Sequence, residues 1–128
     1  ILKRAKEHPS ICFCDSVIDI ERYYAAIDVL VLPSYREGFG NVVIEAGALG
    51  TPAIVSDIPG PIDTIECGRT ALVVPPKDVG TLKSLMQQIR EKDYLDMGKN
   101  AAVFVKKKFD SDILCGKILE RKKRLLGI

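Results

Sequence analysis

Four short apolar runs, Ile11–Cys14, Asp28–Leu32, Ala53–Val55 and Ala71–Val74, alternate with helical patterns along this chain. Runs of that length are too short for helices. Lying between amphipathic segments, they read as buried strands of α/β units around a parallel sheet. Asp19 is placed to cap a short helix through Tyr24 and Ala26. Pro33 ends the second strand, and a helix predicted over Asn41–Leu49 closes at Gly50, with Pro52 blocking its continuation. The third strand leads through Ser56-Asp-Ile-Pro-Gly-Pro61 to a helical turn around Ile62–Glu66. Beyond Pro75-Pro76 the pattern is wholly helical. Val79, Leu82, Leu85, Met86 and Ile89 form one stripe, and Tyr94, Met97, Ala101 and Phe104 a second. Leu114, Ile118 and Leu125 share a sector of a last helix, with Arg121 at its edge.

With 128 residues, 47 % of them hydrophobic and 28 % charged, the chain fits a single domain with a real core. No apolar run is long enough to span a membrane, and nothing resembles a signal peptide, so a cytoplasmic location is expected. A net charge of +2, with 6 % aromatics and no binding motif, argues against a nucleic-acid partner. The chain lacks an initiator Met and opens on Ile1-Leu-Lys-Arg-Ala-Lys-Glu7, which reads as the end of a helix. A single truncated domain over residues 1–128 is therefore the expectation. Cys12, Cys14, Cys67 and Cys115 are joined by one histidine, His8, and their spacing offers no zinc set. They read as free thiols packed in a reducing compartment.

Chemistry concentrates in Glu37-Gly-Phe-Gly-Asn-Val-Val-Ile-Glu45, which follows the second strand. Gly38 and Gly40 carry no Cβ, so a ligand can approach their backbone N–H groups. The helix start near Asn41 and Val42 offers unpaired N–H groups and the positive end of a dipole, a place for a diphosphate. Glu37 can accept hydrogen bonds from a sugar diol. Glu45, about 6 Å further along the helix axis, can reach a ribose. A ligand in that line would cross the strand ends, where open α/β sheets bind. Spacing alone leaves two other readings open. One has the carboxylates solvated and the glycines needed only for a turn; the other makes the pair the acid and nucleophile of a glycosidase.

Four motifs in order carry a resemblance: Asp28-Val-Leu-Val-Leu-Pro-Ser34, Glu37-Gly-Phe-Gly-Asn-Val-Val-Ile-Glu-Ala46, Gly50-Thr-Pro-Ala-Ile-Val55 and Gly68-Arg-Thr-Ala-Leu-Val-Val-Pro-Pro76. Together they resemble the C-terminal, donor-binding domain of retaining GT-B glycosyltransferases of family 4, "glycosyl transferases group 1". The nine-residue stretch matches that family's E-x7-E motif, and the resemblance runs from Ile11 to Phe109. It implies a partial Rossmann-like parallel sheet flanked by helices, with a helical C-terminal tail. By the same resemblance Glu37 is the catalytic or donor-positioning glutamate. The amides of Gly38, Phe39 and Gly40 contact the sugar and its phosphates, and Asn41 and Val42 begin the diphosphate-binding helix. Glu45 binds the ribose, and Val17 lies near the base. The implied reaction moves a sugar with retention from a UDP- or GDP-linked donor to a glycan or lipid-linked acceptor, with no metal or other cofactor. The rival functions are a non-catalytic nucleotide-sugar-binding or assembly module and a GT-B-fold sugar-nucleotide epimerase.

The chain departs from the family pattern in places. Cys14-Asp15 replaces a usual Gly after the first strand, Ile27-Asp28 a usual Ala-Asp, and Cys67-Gly68 a usual Asp-Gly. The family's upstream Arg and Lys, which neutralise the diphosphate, and its N-terminal acceptor domain are not in this sequence. Charge-assisted phosphate contacts are worth about 1.5–3 kcal/mol each, so the isolated piece is expected to be inactive. If the full strand order is 3-2-1-4-5-6, Ile11–Cys14 has lost its neighbours. It is expected to re-pair beside Asp28–Leu32, swap with another copy, or lean on a partner, so that self-association through an exposed sheet edge is foreseen. Asp110-Ser-Asp112 has D-x-D spacing but reads as a helix cap. Lys106–Lys108 and Arg121–Arg124 read as solvated faces, with contact to an anionic membrane surface as the alternative.

Overall fold

A computed structural model of the chain describes residues 2–91 and 94–127. In chain order its elements are α1 (Leu2–Lys6), α2 (Ile20–Ala26), β1 (Leu30–Leu32), α3 (Asn41–Ala48), β2 (Ala53–Ser56), a 3-10 turn (Pro61–Thr64), β3 (Ala71–Val74), α4 (Val79–Glu91), α5 (Tyr94–Phe109) and α6 (Ser111–Leu126). The strands form one parallel sheet in the order β1-β2-β3. Val31 stands opposite Ile54, and Ile54 opposite Leu72. This agrees with the partial Rossmann-like parallel sheet that the resemblance implies.

The period of two along β2 sorts its side chains between two cores. Ala53 and Val55 face Val43, Ile65 and Ala71 on the α3 side. Ile54 joins Val74 and Ile89 on the other side, where Leu82, Leu85 and Met97 close over it. All four residues of β2 are buried, as a central parallel strand requires, whereas β1 is half-buried throughout. The stripe expected on α4 is thus real for Leu82, Leu85 and Ile89, while Val79 and Met86 remain exposed. Helix α5 lies along α3. A Cβ on Gly98 would drive into the carbonyl of Gly50, so glycine is what lets the two backbones meet.

Several expectations need correction. Ile11–Cys14 is not a strand: the segment is irregular and exposed, and among the described residues β1 pairs with β2 alone. An apolar run becomes a strand only by hydrogen bonding to a neighbour, and here the run finds none. All four cysteines are free and exposed rather than packed. Asp19 occupies the N-cap position of α2 but makes no capping bond; its carboxylate pairs with Arg22 at 3.2 Å. The predicted turn at Ile62–Glu66 begins one residue earlier, at Pro61. Asp110 does cap α6, its Oδ1 accepting from the N–H groups of Asp112 and Ile113 at 3.0 and 3.2 Å. Helix α6 buries none of its residues, and Leu125, Ile118 and Leu119 are all exposed.

Candidate functional site

Two glycines build the mouth of the site. Gly40 sits at φ +82°, in the left-handed region, at the N-cap of α3, and a Cβ there would lie 3.1 Å from the Pro61 Cα. Gly60 has φ +98°, and its Cβ would come within 2.7 Å of the Gly38 carbonyl oxygen. The loop after β1 therefore rests on the loop after β2, backbone against backbone, at the C-terminal ends of both strands. Only residues without a Cβ permit that approach. Gly38 differs from these two: a Cβ there would meet open space, so nothing within the protein demands glycine.

That packing fixes where α3 begins. No side chain caps its first turn, and Val43 N–H bonds back to the Gly40 carbonyl at 2.9 Å. Asn41 is exposed and Val42 half-buried at an uncapped helix start that opens on the loop. Such a start presents N–H groups and the dipole's positive end to whatever lies beyond it.

The two carboxylates lie at either end of this unit. Glu37 is exposed in the loop, and its Oε1 accepts from the Gly38 N–H at 3.2 Å, so that amide is already partly engaged. Glu45 stands on α3, where its Oε2 accepts from the Tyr24 hydroxyl at 3.1 Å. Burial pushes the Tyr24 phenol above its ordinary value, and the bond to Glu45 and that carboxylate's charge add to the rise. Tyr24 is in turn held by its own carbonyl, which accepts from the Thr51 hydroxyl at 2.6 Å. Sequence spacing gave no sign that Tyr24 orients Glu45, because the contact joins two helices 21 positions apart.

Phe39 is half-exposed and meets Phe109 edge-on, with ring centroids 6.0 Å apart. Phe109 meets Phe104 in the same way at 5.8 Å. Lys108 lies over both of the latter rings and donates to the Asp63 carbonyl at 3.2 Å. One residue of the basic run on α5 is therefore not simply solvated: it ties the end of that helix to the aromatic group and to the turn after β2. Val17 is half-buried in the irregular segment ahead of α2, outside the loop–helix unit. Glu37, Gly38, Phe39, Gly40, Asn41, Val42 and Glu45 thus form one continuous loop–helix unit, while Val17 belongs to a different segment of the chain.

A family model described as "Glycosyl transferases group 1" matches residues 1–92. The capsular polysaccharide biosynthesis glycosyltransferase CapM of Staphylococcus aureus is 34 % identical over 110 residues, covering 84 % of this chain and 29 % of CapM. Among solved structures, sucrose-phosphate synthase of Thermosynechococcus elongatus superposes with a TM-score of 0.88 at 30 % identity, over 98 % of this chain and 33 % of that one. HepE of Anabaena, solved in complex with UDP-glucose, gives 0.85 at 22 % identity over 96 % of this chain and 35 % of its own, a likeness of fold. The chain spans about a third of the length of the relatives it matches. Among the described residues no helix is long and apolar enough to cross a membrane.

Proposed function

The chain belongs to the glycosyl transferases group 1, and from that premise we propose that it forms the donor-binding part of a retaining GT-B hexosyltransferase. The substrate would be a UDP- or GDP-sugar, and the acceptor a glycan or a lipid-linked saccharide. The observation that carries this reading is the uncapped start of α3 directly behind a glycine loop at the strand ends. It is an anion-binding arrangement with a carboxylate on each side.

In this reading the amides at Asn41 and Val42, with those of Gly38, Phe39 and Gly40, hold the diphosphate. They stabilise the charge that develops on it as the sugar leaves. Glu37 positions the sugar as the catalytic glutamate, Glu45 accepts from the ribose hydroxyls, and Val17 lines the base. No metal or cofactor is needed, because helix dipole and backbone donors take the charge. The edge of β1, unpaired among the described residues, is where further strands of a longer polypeptide, or a second copy, would add. The protein would work in the cytoplasm, with contact to a membrane surface where the acceptor is lipid-linked. The piece alone would bind nucleotide weakly and turn nothing over, since an acceptor domain and cationic phosphate ligands would have to come from outside it.

The test is a titration of the chain with UDP and with GDP, followed by heteronuclear NMR. One nucleotide should shift the amides of Gly38 to Val42, and Glu45→Ala should weaken that binding. If neither nucleotide moves those amides at millimolar concentration, the donor site is not here.

A further inference from the structure

A cavity of about 60 Å³, lined by Tyr35, Ser56 and Lys77, lies at the C-terminal ends of the strands and includes none of the residues Glu37 to Glu45. Its floor is Ser56, the last residue of β2, only 1 % exposed. No side-chain hydrogen bond holds the Ser56 hydroxyl, although every fully buried side-chain oxygen among the described residues has a partner. Among the described residues the hydroxyl is left without a protein partner where Ser56 lines this cavity. Its rim carries Lys77 and Asp78, with Lys77 Nζ 5.7 Å from the centroid of the Tyr35 ring.

Lys77 is the single non-glycine with positive φ among the described residues, at +67°. A side chain held in the left-handed region costs stability, and such costs gather where a side chain must point one way. Asp78 accepts from the Thr81 N–H at 2.9 Å and from its hydroxyl at 2.7 Å, so its carboxylate is fixed at the start of α4 while keeping lone pairs free.

We propose that this cavity is a second carbohydrate subsite, separate from the donor loop, taking the hydroxymethyl group or ring edge of an uncharged sugar. The rim carries one charge of each sign, so an anion meets Asp78 and a cation meets Lys77, whereas hydroxyls can donate to the first and accept from the second. Ser56 supplies both a donor and an acceptor at the bottom. Pro33 and Pro75 form apolar walls for the C–H face of the ring. The volume admits a ring edge and not a whole hexose. Tyr35 precedes Glu37 by two residues, so a sugar seated here would lie beside the loop that the donor reading uses. The choice of sugars over other polyols rests on the glycosyltransferase reading; the cavity and its polar groups do not.

The experiment is a titration of the 128-residue chain with glucose, N-acetylglucosamine and inositol, with inorganic phosphate, UDP and GDP as separate arms, all read by heteronuclear NMR. At least one saccharide should shift the amides of Tyr35, Ser56, Lys77 and Asp78, with affinity in the millimolar range. Ser56→Ala should weaken it about five-fold, the worth of one hydrogen bond. Tyr35→Ala, at an exposed position that does not threaten folding, should weaken it as well. Both nucleotides should leave these amides alone, and one of them should shift Gly38 to Val42. The proposal falls if no saccharide moves the cavity amides, if phosphate binds there in preference, or if both variants keep wild-type affinity. Failure of both UDP and GDP would remove the donor reading while saccharide binding at Ser56 still supported this site.

Discussion

The Tyr24 hydroxyl donates to Glu45 across 3.1 Å, so α2 holds the carboxylate that stands beyond the open start of α3. Tyr24 is 7 % exposed, and its hydroxyl is the polar tip of a side chain otherwise packed between helices. Tyr24→Phe keeps the packing and removes the bond. We expect a loss of about 1 kcal/mol in unfolding free energy by urea titration, the usual worth of such a bond. If Glu45 reads the ribose, nucleotide affinity should fall too, because the carboxylate is then free to turn away. Unchanged stability in Tyr24→Phe would mean that the bond is not made in solution.

The same tyrosine sets a pH dependence at the alkaline end. Its folded-state value lies above the ordinary 10.0, so the unfolded chain ionises first and the neutral phenol favours the fold. That contribution is fully present below pH 10.0 and is lost as pH rises through the folded-state value. Asp78 works at the acid end. The Thr81 N–H, then the Thr81 hydroxyl, hold its carboxyl below the ordinary 3.8, so its contribution is present above pH 3.8 and lost as pH falls through the lower folded value. Melting curves across pH should show both declines. Tyr24→Phe should flatten only the alkaline one and Asp78→Asn only the acid one.

The three glycines of the site loops divide by what surrounds them. Gly60→Ala places a methyl 2.7 Å from the Gly38 carbonyl at a φ of +98°, and should cost about 2–4 kcal/mol from strain and displaced backbone. Gly40→Ala, at +82° with Pro61 at 3.1 Å, should cost about 1–3 kcal/mol. Gly38→Ala meets nothing and should change stability by less than about 0.5 kcal/mol. Under the donor reading it should still weaken nucleotide binding, because the methyl takes space meant for a ligand. Denaturant titration and nucleotide titration on the three variants separate scaffold from contact.

The pattern of hits and misses follows the range of the interactions. Strands near Leu30–Leu32, Ala53–Ser56 and Ala71–Val74, and helix α3 with its stop at Gly50, were legible because apolar runs, Pro and Gly act locally. So was the cap at Asp110. The glycine loop and the helix start between Glu37 and Glu45 were legible because they lie within nine residues. What failed was Ile11–Cys14, whose apolar content matches a strand but whose strand state depends on a neighbour. Three side-chain relationships around the site were invisible for a related reason: Tyr24 with Glu45, Phe39 with Phe109, and Tyr35 with Lys77. Each joins elements distant in sequence, and no local period marks one residue as the partner of another.

Gly98 and Gly47 test the seam that holds α5 against α3. A methyl on Gly98 would enter the Gly50 carbonyl, a backbone atom that cannot swing aside, and Pro52 stands close behind it. At Gly47 the nearest atom is a methyl of Val105 at 3.1 Å, a side-chain contact that is relieved by a shift of a few tenths of an ångström. Gly98→Ala should therefore cost about 2–4 kcal/mol, while Gly47→Ala should cost about 1 kcal/mol or less, offset by the better helix propensity of alanine. Because α5 also ends in Phe109, which contacts Phe39, displacement in Gly98→Ala should reach the loop and shift the Phe39 and Gly40 amides. Urea titration with NMR on both variants checks this. Equal costs, or a Gly98→Ala spectrum unchanged at Phe39, would mean that α5 does not support the site loop.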